Sequence, residues 1–156
     1  MKKIIMIIIG FIPFLIGGML NYIMLKIPTV LPPLLLIGVL CLLLWGFGAN
    51  RLCLHSNNAL TVMVCMNAPA GIVLILLGIQ EILLGQYFSN AVGLWTQYFY
   101  LPLLSIGYQL TFWSPSVFVA YCASFLLMIV ATFIGCRVSY RKINKKDELH
   151  SSIKEY

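Results

Sequence analysis

Apolar residues are gathered into four long runs that are separated by short polar stretches. A helix needs about 20 apolar residues to cross the hydrocarbon core of a bilayer, and each run is close to that length. The pattern therefore predicts an all-α, polytopic membrane protein. The four predicted transmembrane helices cover residues 4–25, 31–49, 59–80 and 114–136.

The first run begins after Lys2 and Lys3, an arrangement that also occurs in secretory signal peptides. Its apolar stretch is longer than the roughly 7–15 residues of a signal h-region. No small-residue cleavage site follows, because Asn21, Tyr22 and Lys26 occupy that zone. We therefore predict that this run is retained as the first span.

Residues 86–113, between the third and fourth spans, carry no charge but are rich in aromatic side chains. Tyr and Trp favour the headgroup layer, where one end of the ring system stays hydrated. We expect an interfacial or re-entrant segment, broken near Pro102 and Gly107. A fifth span through residues 91–110 is the alternative, although several polar residues disfavour it. The expected interfacial aromatic surface consists of Trp95, Tyr98, Tyr100, Tyr108 and Trp113.

Composition agrees with membrane insertion and excludes an ordinary soluble domain. The chain is 62% hydrophobic and 9% charged, with a mean hydropathy of +1.00, whereas soluble domains are about 45–50% apolar and about 25% charged. The net charge is +6, and six of the ten Lys and Arg residues lie between positions 137 and 154.

This distribution divides the chain into a transmembrane domain, residues 1–136, and a basic cytoplasmic tail, residues 137–156. A basic segment beside a span indicates contact with the lipid bilayer rather than with nucleic acid. The expected headgroup contacts are Arg137, Arg141, Lys142, Lys145 and Lys146.

The same charges predict the orientation of the chain. With four spans and a cytoplasmic N-terminus, nine of the ten basic residues face the cytoplasm and only Lys26 lies outside, as the positive-inside rule requires. A fifth span would place the basic tail outside. We therefore expect both termini in the cytoplasm. The short loops and the ends rich in Ile, Lys and Asn favour a bacterial plasma membrane.

Glu81 is the only carboxylate beside a predicted span. Ionisable residues in membranes are costly and often functional, so Glu81 is a candidate for an ion, proton or partner site. The alternative is a side chain that simply faces water or headgroups. Gln80 and Gln86 lie close in sequence and would complete a polar pocket with it.

Asn67 is the deepest clearly polar residue of the third span, and it is followed by Pro69 and Gly71. Pro removes a backbone donor and clashes with the preceding turn, so we expect a helix break there. Asn67 then either joins two helices by a hydrogen bond or belongs to an unwound site that lines a substrate cavity.

The remaining chemistry is sparse. The five cysteines include no C-x-x-C pair, and their odd number argues against a complete disulfide framework. They are interpreted as small packing residues, with Cys136 a candidate for acylation because it lies at a span end. His55 and His150 are isolated, so we expect neither a metal site nor a cofactor.

These features lead to three functional hypotheses. The first is a small non-enzymatic membrane protein without catalytic residues, an accessory, assembly or immunity-type partner that binds another membrane protein or a copy of itself. The alternative is a subunit of an oligomeric transporter or channel that uses Glu81 and the break at Asn67–Gly71. The third is a lipid-acting membrane enzyme, for which Glu81 is the single available carboxylate.

Overall fold

The protein is described by a computed structural model. Its backbone is described for residues 2–26, 33–56, 58–85, 91–112 and 114–154. Side chains are described for the same residues except 2, 91, 92 and 142–154.

The described residues form helices and no strands, which confirms the all-α prediction. Four helical stretches, Lys3–Lys26, Leu34–Leu54, Ala59–Leu83 and Val117–Arg141, are long and apolar enough to cross a membrane, as in a multi-pass membrane protein. The helices are α1 (Lys2–Gly10), α2 (Ile12–Lys26), α3 (Leu34–Leu54), α4 (Ala59–Gly78), α5 (Ala91–Leu110) and α6 (Val117–Lys154), and a π-helical turn (Ile79–Leu83) follows α4.

The first predicted span is built from two helices, because α1 ends at Gly10 and α2 begins at Ile12. Pro13 has no N–H to donate to the preceding turn, which accounts for the interruption at this point. The second span is longer than predicted and continues through Arg51 to Leu54. The Arg51 guanidinium lies 5.1 Å from the ring centroid of Phe47, one turn earlier, so the charged residue is accommodated on the helix surface.

Helix α6 is the longest element and packs against α3, α4 and α5. Its backbone remains helical to Lys154. The proposed boundary between a transmembrane domain and a tail at residue 136 is therefore not marked by a helix end.

Glycines allow the closest helix approaches. The α-carbon of Gly17 in α2 lies against the backbone carbonyl of Tyr98 in α5, and that of Gly135 in α6 lies against the carbonyl of Gly46 in α3. A β-carbon at either glycine would overlap the facing backbone. Small residues serve the same purpose in membrane helix bundles generally, because they let backbones approach each other.

Helix α5 contains most of the aromatic segment. It begins beside the end of α4, where Thr96 contacts Gln80, and it ends beside the start of α6, where Gly107 lies against Ala120. The end of α4 and the start of α6 are themselves joined through Glu81. Both ends of α5 therefore lie near the same end of the bundle, which we call the Glu81 end.

The backbone of α5 is helical from Ala91 to Leu110. The breaks expected near Pro102 and Gly107 are thus absent, and Pro102 is enclosed within the bundle. Neighbouring helices can satisfy the groups that Pro leaves unbonded in such an environment. The assignment of this segment as interfacial or re-entrant stays a prediction.

Candidate functional site

A buried polar centre joins three helices in the middle of the bundle. The hydroxyl of Thr132 in α6 accepts hydrogen bonds from Trp45 Nε1 in α3, at 3.1 Å, and from Asn67 Nδ2 in α4, at 3.0 Å. It also donates to the carbonyl of Met128, one turn earlier, at 2.8 Å. The hydroxyl thus uses both its acceptor and its donor capacity. This agrees with the first of the two sequence interpretations of Asn67, in which its side chain joins two helices by a hydrogen bond.

The predicted helix break at Pro69 and Gly71 is absent. Helix α4 is continuous from Ala59 to Gly78 and includes both residues. The Tyr100 hydroxyl donates to the carbonyl of Ala70 at 2.7 Å, so α5 supplies a hydrogen bond to the backbone of this stretch. Pro69 is tolerated because the surrounding helices enclose it.

Asn67 also retains an unused hydrogen-bond acceptor. Its Nδ2 donates to Thr132 and, at 2.9 Å, to the carbonyl of Met63, whereas its Oδ1 is buried and accepts no hydrogen bond from any described residue. The side chain lines a groove of about 330 Å³ between α4 and α6. Ala68 and Gly71, two small residues, form part of the same groove.

Glu81 is bound to the N-terminus of α6. Its Oε1 accepts a hydrogen bond from Ser116 Oγ at 2.6 Å, and its Oε2 accepts one from the backbone N–H of Phe118 at 3.1 Å. The first N–H groups of a helix lack partners within the helix, and a negative charge there interacts favourably with the helix dipole. The carboxylate therefore supports the fold by capping a neighbouring helix.

The opposite end of α4 is capped by α6 in return. The Tyr140 hydroxyl oxygen accepts a hydrogen bond from the backbone N–H of Ala59 at 3.0 Å, and the Asn58 side chain accepts one from Leu60 N–H at 2.9 Å. Helices α4 and α6 thus each satisfy backbone donors at the start of the other, which fixes their antiparallel alignment.

The π-helical turn at Ile79–Leu83 directs two neighbouring polar side chains to different helices. Gln80 is 2% exposed and donates to Thr96 Oγ1 in α5 at 3.4 Å, while Glu81 reaches α6. A π turn inserts one residue into the helical repeat and is frequent at functional sites. Gln86, the third member of the predicted polar pocket, lies outside the described residues.

The predicted aromatic surface is divided between core and periphery. Tyr100 is fully buried, so its assignment to a surface is wrong. Tyr98 is half-buried and accepts a hydrogen bond from Asn21 Nδ2 at 2.9 Å, and Tyr108 is also half-buried. Trp95 is 59% exposed, and Trp113 lies outside the described residues.

The basic residues after the last span are described only in part. Arg137 lies 5.8 Å from the centroid of the Phe133 ring, and the Arg141 side chain is exposed. The side chains of Lys142, Lys145 and Lys146 lie outside the described set.

A disulfide joins Cys53 at the end of α3 to Cys136 in α6, 83 positions later. The sequence interpretation of these two residues as unpaired packing cysteines is therefore wrong, and Cys136, the acylation candidate, is only 2% exposed. The odd total obscured the pair, because Cys41, Cys65 and Cys122 remain as thiols. Cys53 and Cys136 lie at the same end of two predicted spans that run in the same direction, and this was the available sequence signal.

Within the described part of the chain, no three His, Cys, Asp or Glu side chains gather where they would hold a metal ion. Comparison of the chain with protein-family models, curated proteins and solved structures finds no match in any of the three.

Proposed function

We propose that this protein is a non-enzymatic membrane protein that binds a transmembrane helix of another protein, or of a second copy of itself, in the groove between α4 and α6. This corresponds to an accessory, assembly or immunity-type role. The observation that carries the proposal is Asn67, which lines that groove and whose buried Oδ1 accepts no hydrogen bond from any described residue.

The chemistry of the groove suits a helix. The small side chain of Ala68 allows a close backbone approach, and polar side chains form hydrogen bonds across membrane helix interfaces. A buried acceptor without a donor costs about 1–3 kcal/mol. A partner helix that offers a Ser, Thr, Asn or Gln donor at this position would recover that cost when the Asn67 amide turns its Oδ1 toward the groove.

The contacts of Glu81 and Asn67 give less support to a transporter or an enzyme. Glu81 accepts two hydrogen bonds from the start of α6, and Asn67 lies in a continuous helix. A transport site of the expected kind requires unwound backbone beside a cavity. A lipid-acting enzyme would have to use a carboxylate that already caps a helix.

We place the protein in a bacterial plasma membrane with both termini in the cytoplasm. The support is the positive-inside distribution of Lys and Arg. In this orientation the Cys53–Cys136 end of the bundle lies at the cytoplasmic face, and the exposed Arg141 side chain reaches anionic headgroups there.

The test is affinity purification in a mild detergent from the native host. The tagged parent should retain a partner or a second copy, and Ala68→Leu, which projects a larger side chain into the groove, should lose it. Leu15→Phe is the matched control because Leu15 is 63% exposed on α2, away from the groove. Retention of the same partner by Ala68→Leu, or recovery of the parent only as a monomer, would overturn the proposal.

A further inference from the structure

A second apolar cavity lies between α2 and α3, beneath α5, with a volume of about 110 Å³. Helices α1 and α2 pack mainly on α4 and α5, whereas α3 packs mainly on α6 and α5. The facing sides of α2 and α3 are therefore left apart, and the cavity occupies the space between them.

The cavity has an exposed mouth and a buried floor. At the mouth, Ile12 in α2 is 42% exposed and Leu44 in α3 is 66% exposed. The floor includes Trp45, Met66 and Met128, all of which are buried. Ile12 and Leu44 lie near the middle of their candidate spans, so the mouth opens at the depth of the hydrocarbon core.

The chemistry of the walls restricts the occupant. The one strong polar group, the Trp45 indole N–H, is already bonded to Thr132, which leaves no free donor there for water. An engineered apolar cavity of about 150 Å³ stays dry and binds benzene. A helix is about 10–12 Å wide with its side chains and does not fit a space of about 110 Å³.

We propose that this cavity binds the hydrocarbon chain of a bilayer lipid, which enters laterally between α2 and α3. The chain fills a volume that the side chains leave open and restores dispersion contacts to the cavity walls. The site is distinct from the α4–α6 groove, and it does not depend on the partner proposed there.

The test uses Trp45 as a reporter of chain entry. The W95F/W113F variant retains Trp45 as its single Trp and is reconstituted into vesicles of phosphatidylcholine brominated in the middle of its acyl chains. The W45F/W113F variant retains Trp95, which is 59% exposed, as the reference for direct lipid contact. We expect Trp45 emission to fall by the same fraction as Trp95 emission, although Trp45 is only 6% exposed.

Two further variants distinguish chain entry from quenching by lipid around the bundle. Gly48→Leu fills the cavity, because a β-carbon at Gly48 meets only the end of Met66, at 3.7 Å. Ile12→Phe narrows the mouth without touching the floor. Both should protect Trp45 from the brominated lipid. Unquenched Trp45 in the single-Trp parent, or full quenching that persists in both variants, would overturn the proposal.

Discussion

The hydroxyl of Thr132 accepts a hydrogen bond from Asn67 across 3.0 Å, although the two residues are 65 positions apart in the chain. Both side chains are buried, at 0% and 5% exposure. Because Trp45 donates to the same hydroxyl, one oxygen links three of the four candidate spans. The hydrogen bonds of Asn67 and Thr132 therefore hold these helices in register.

Replacing Thr132 with Val should destabilise the bundle. Two donors then lose an acceptor, and hydrogen bonds between membrane helices average about 0.6 kcal/mol each, so we expect a loss of about 1–2 kcal/mol. The free energy of unfolding, measured by SDS titration in mixed micelles, checks this value. Thr132→Ser keeps the hydroxyl and should lie close to the parent. Equal stability of Thr132→Val and the parent would contradict the linking role.

Glu81→Ala should weaken the start of α6, because Ser116 and Phe118 both lose their acceptor. Loss of a helix cap costs about 0.5–2 kcal/mol, and the same unfolding measurement detects it. Glu81→Gln retains an acceptor oxygen without the charge and should fall between Glu81→Ala and the parent. A stable Glu81→Ala protein that has lost only its biological activity would instead indicate that the carboxylate acts in function.

Two adjacent glycines in α2 should respond differently to the same substitution. A β-carbon at Gly17 would overlap the Tyr98 carbonyl, whereas one at Gly18 meets nothing within 4 Å. Overpacking costs about 1–3 kcal/mol, so Gly17→Ala should be clearly destabilised. Gly18→Ala should be neutral or more stable by up to about 1 kcal/mol, since Ala favours helix. A similar effect at both positions would show that α2 does not pack on α5 as described.

The Cys53–Cys136 pair provides a test of the proposed orientation. Disulfides are rare in the reducing cytoplasm, so a pair at the cytoplasmic face should be reduced in the cell and oxidise after isolation. Acid-quenched cells, denatured and alkylated at once, should yield five modified cysteines. Air-oxidised purified protein should yield three, the thiols of Cys41, Cys65 and Cys122. Only three modified cysteines in the quenched cells would mean that this end faces an oxidising compartment.

The spans could be predicted from sequence because hydrophobic length depends only on local composition. The predicted ends of the spans were less accurate. The second helix continues past its predicted end at residue 49, because the Arg51 guanidinium is accommodated over the Phe47 ring. The expected break at Pro69 is absent because neighbouring helices enclose this stretch, and the Tyr100 hydroxyl donates a hydrogen bond to the Ala70 carbonyl. These neighbours come from distant parts of the chain. A single-sequence pattern does not contain that information.

The contacts of the candidate site could not be predicted from the sequence for the same reason. Sequence identified Asn67 and Glu81 as unusual from their polarity alone, but their partners, Thr132 and the start of α6, depend on how the helices pack. Tyr100 was placed on a surface because its amphipathic ring suits the interface. In the fold it is buried, since its hydroxyl has a backbone acceptor in α4.

The most direct test of the proposed helix-binding groove is site-specific photo-crosslinking in native membranes. A photoreactive residue at Val64, which lines the groove and is 59% exposed, is compared with one at Leu15, which is 63% exposed on α2. We predict a discrete adduct from position 64 that is absent from position 15 and is lost when Ala68→Leu is added. An adduct at about twice 17.5 kDa identifies a second copy as the partner. Identical crosslinking at the two positions, or an adduct that survives Ala68→Leu, would contradict the proposed site.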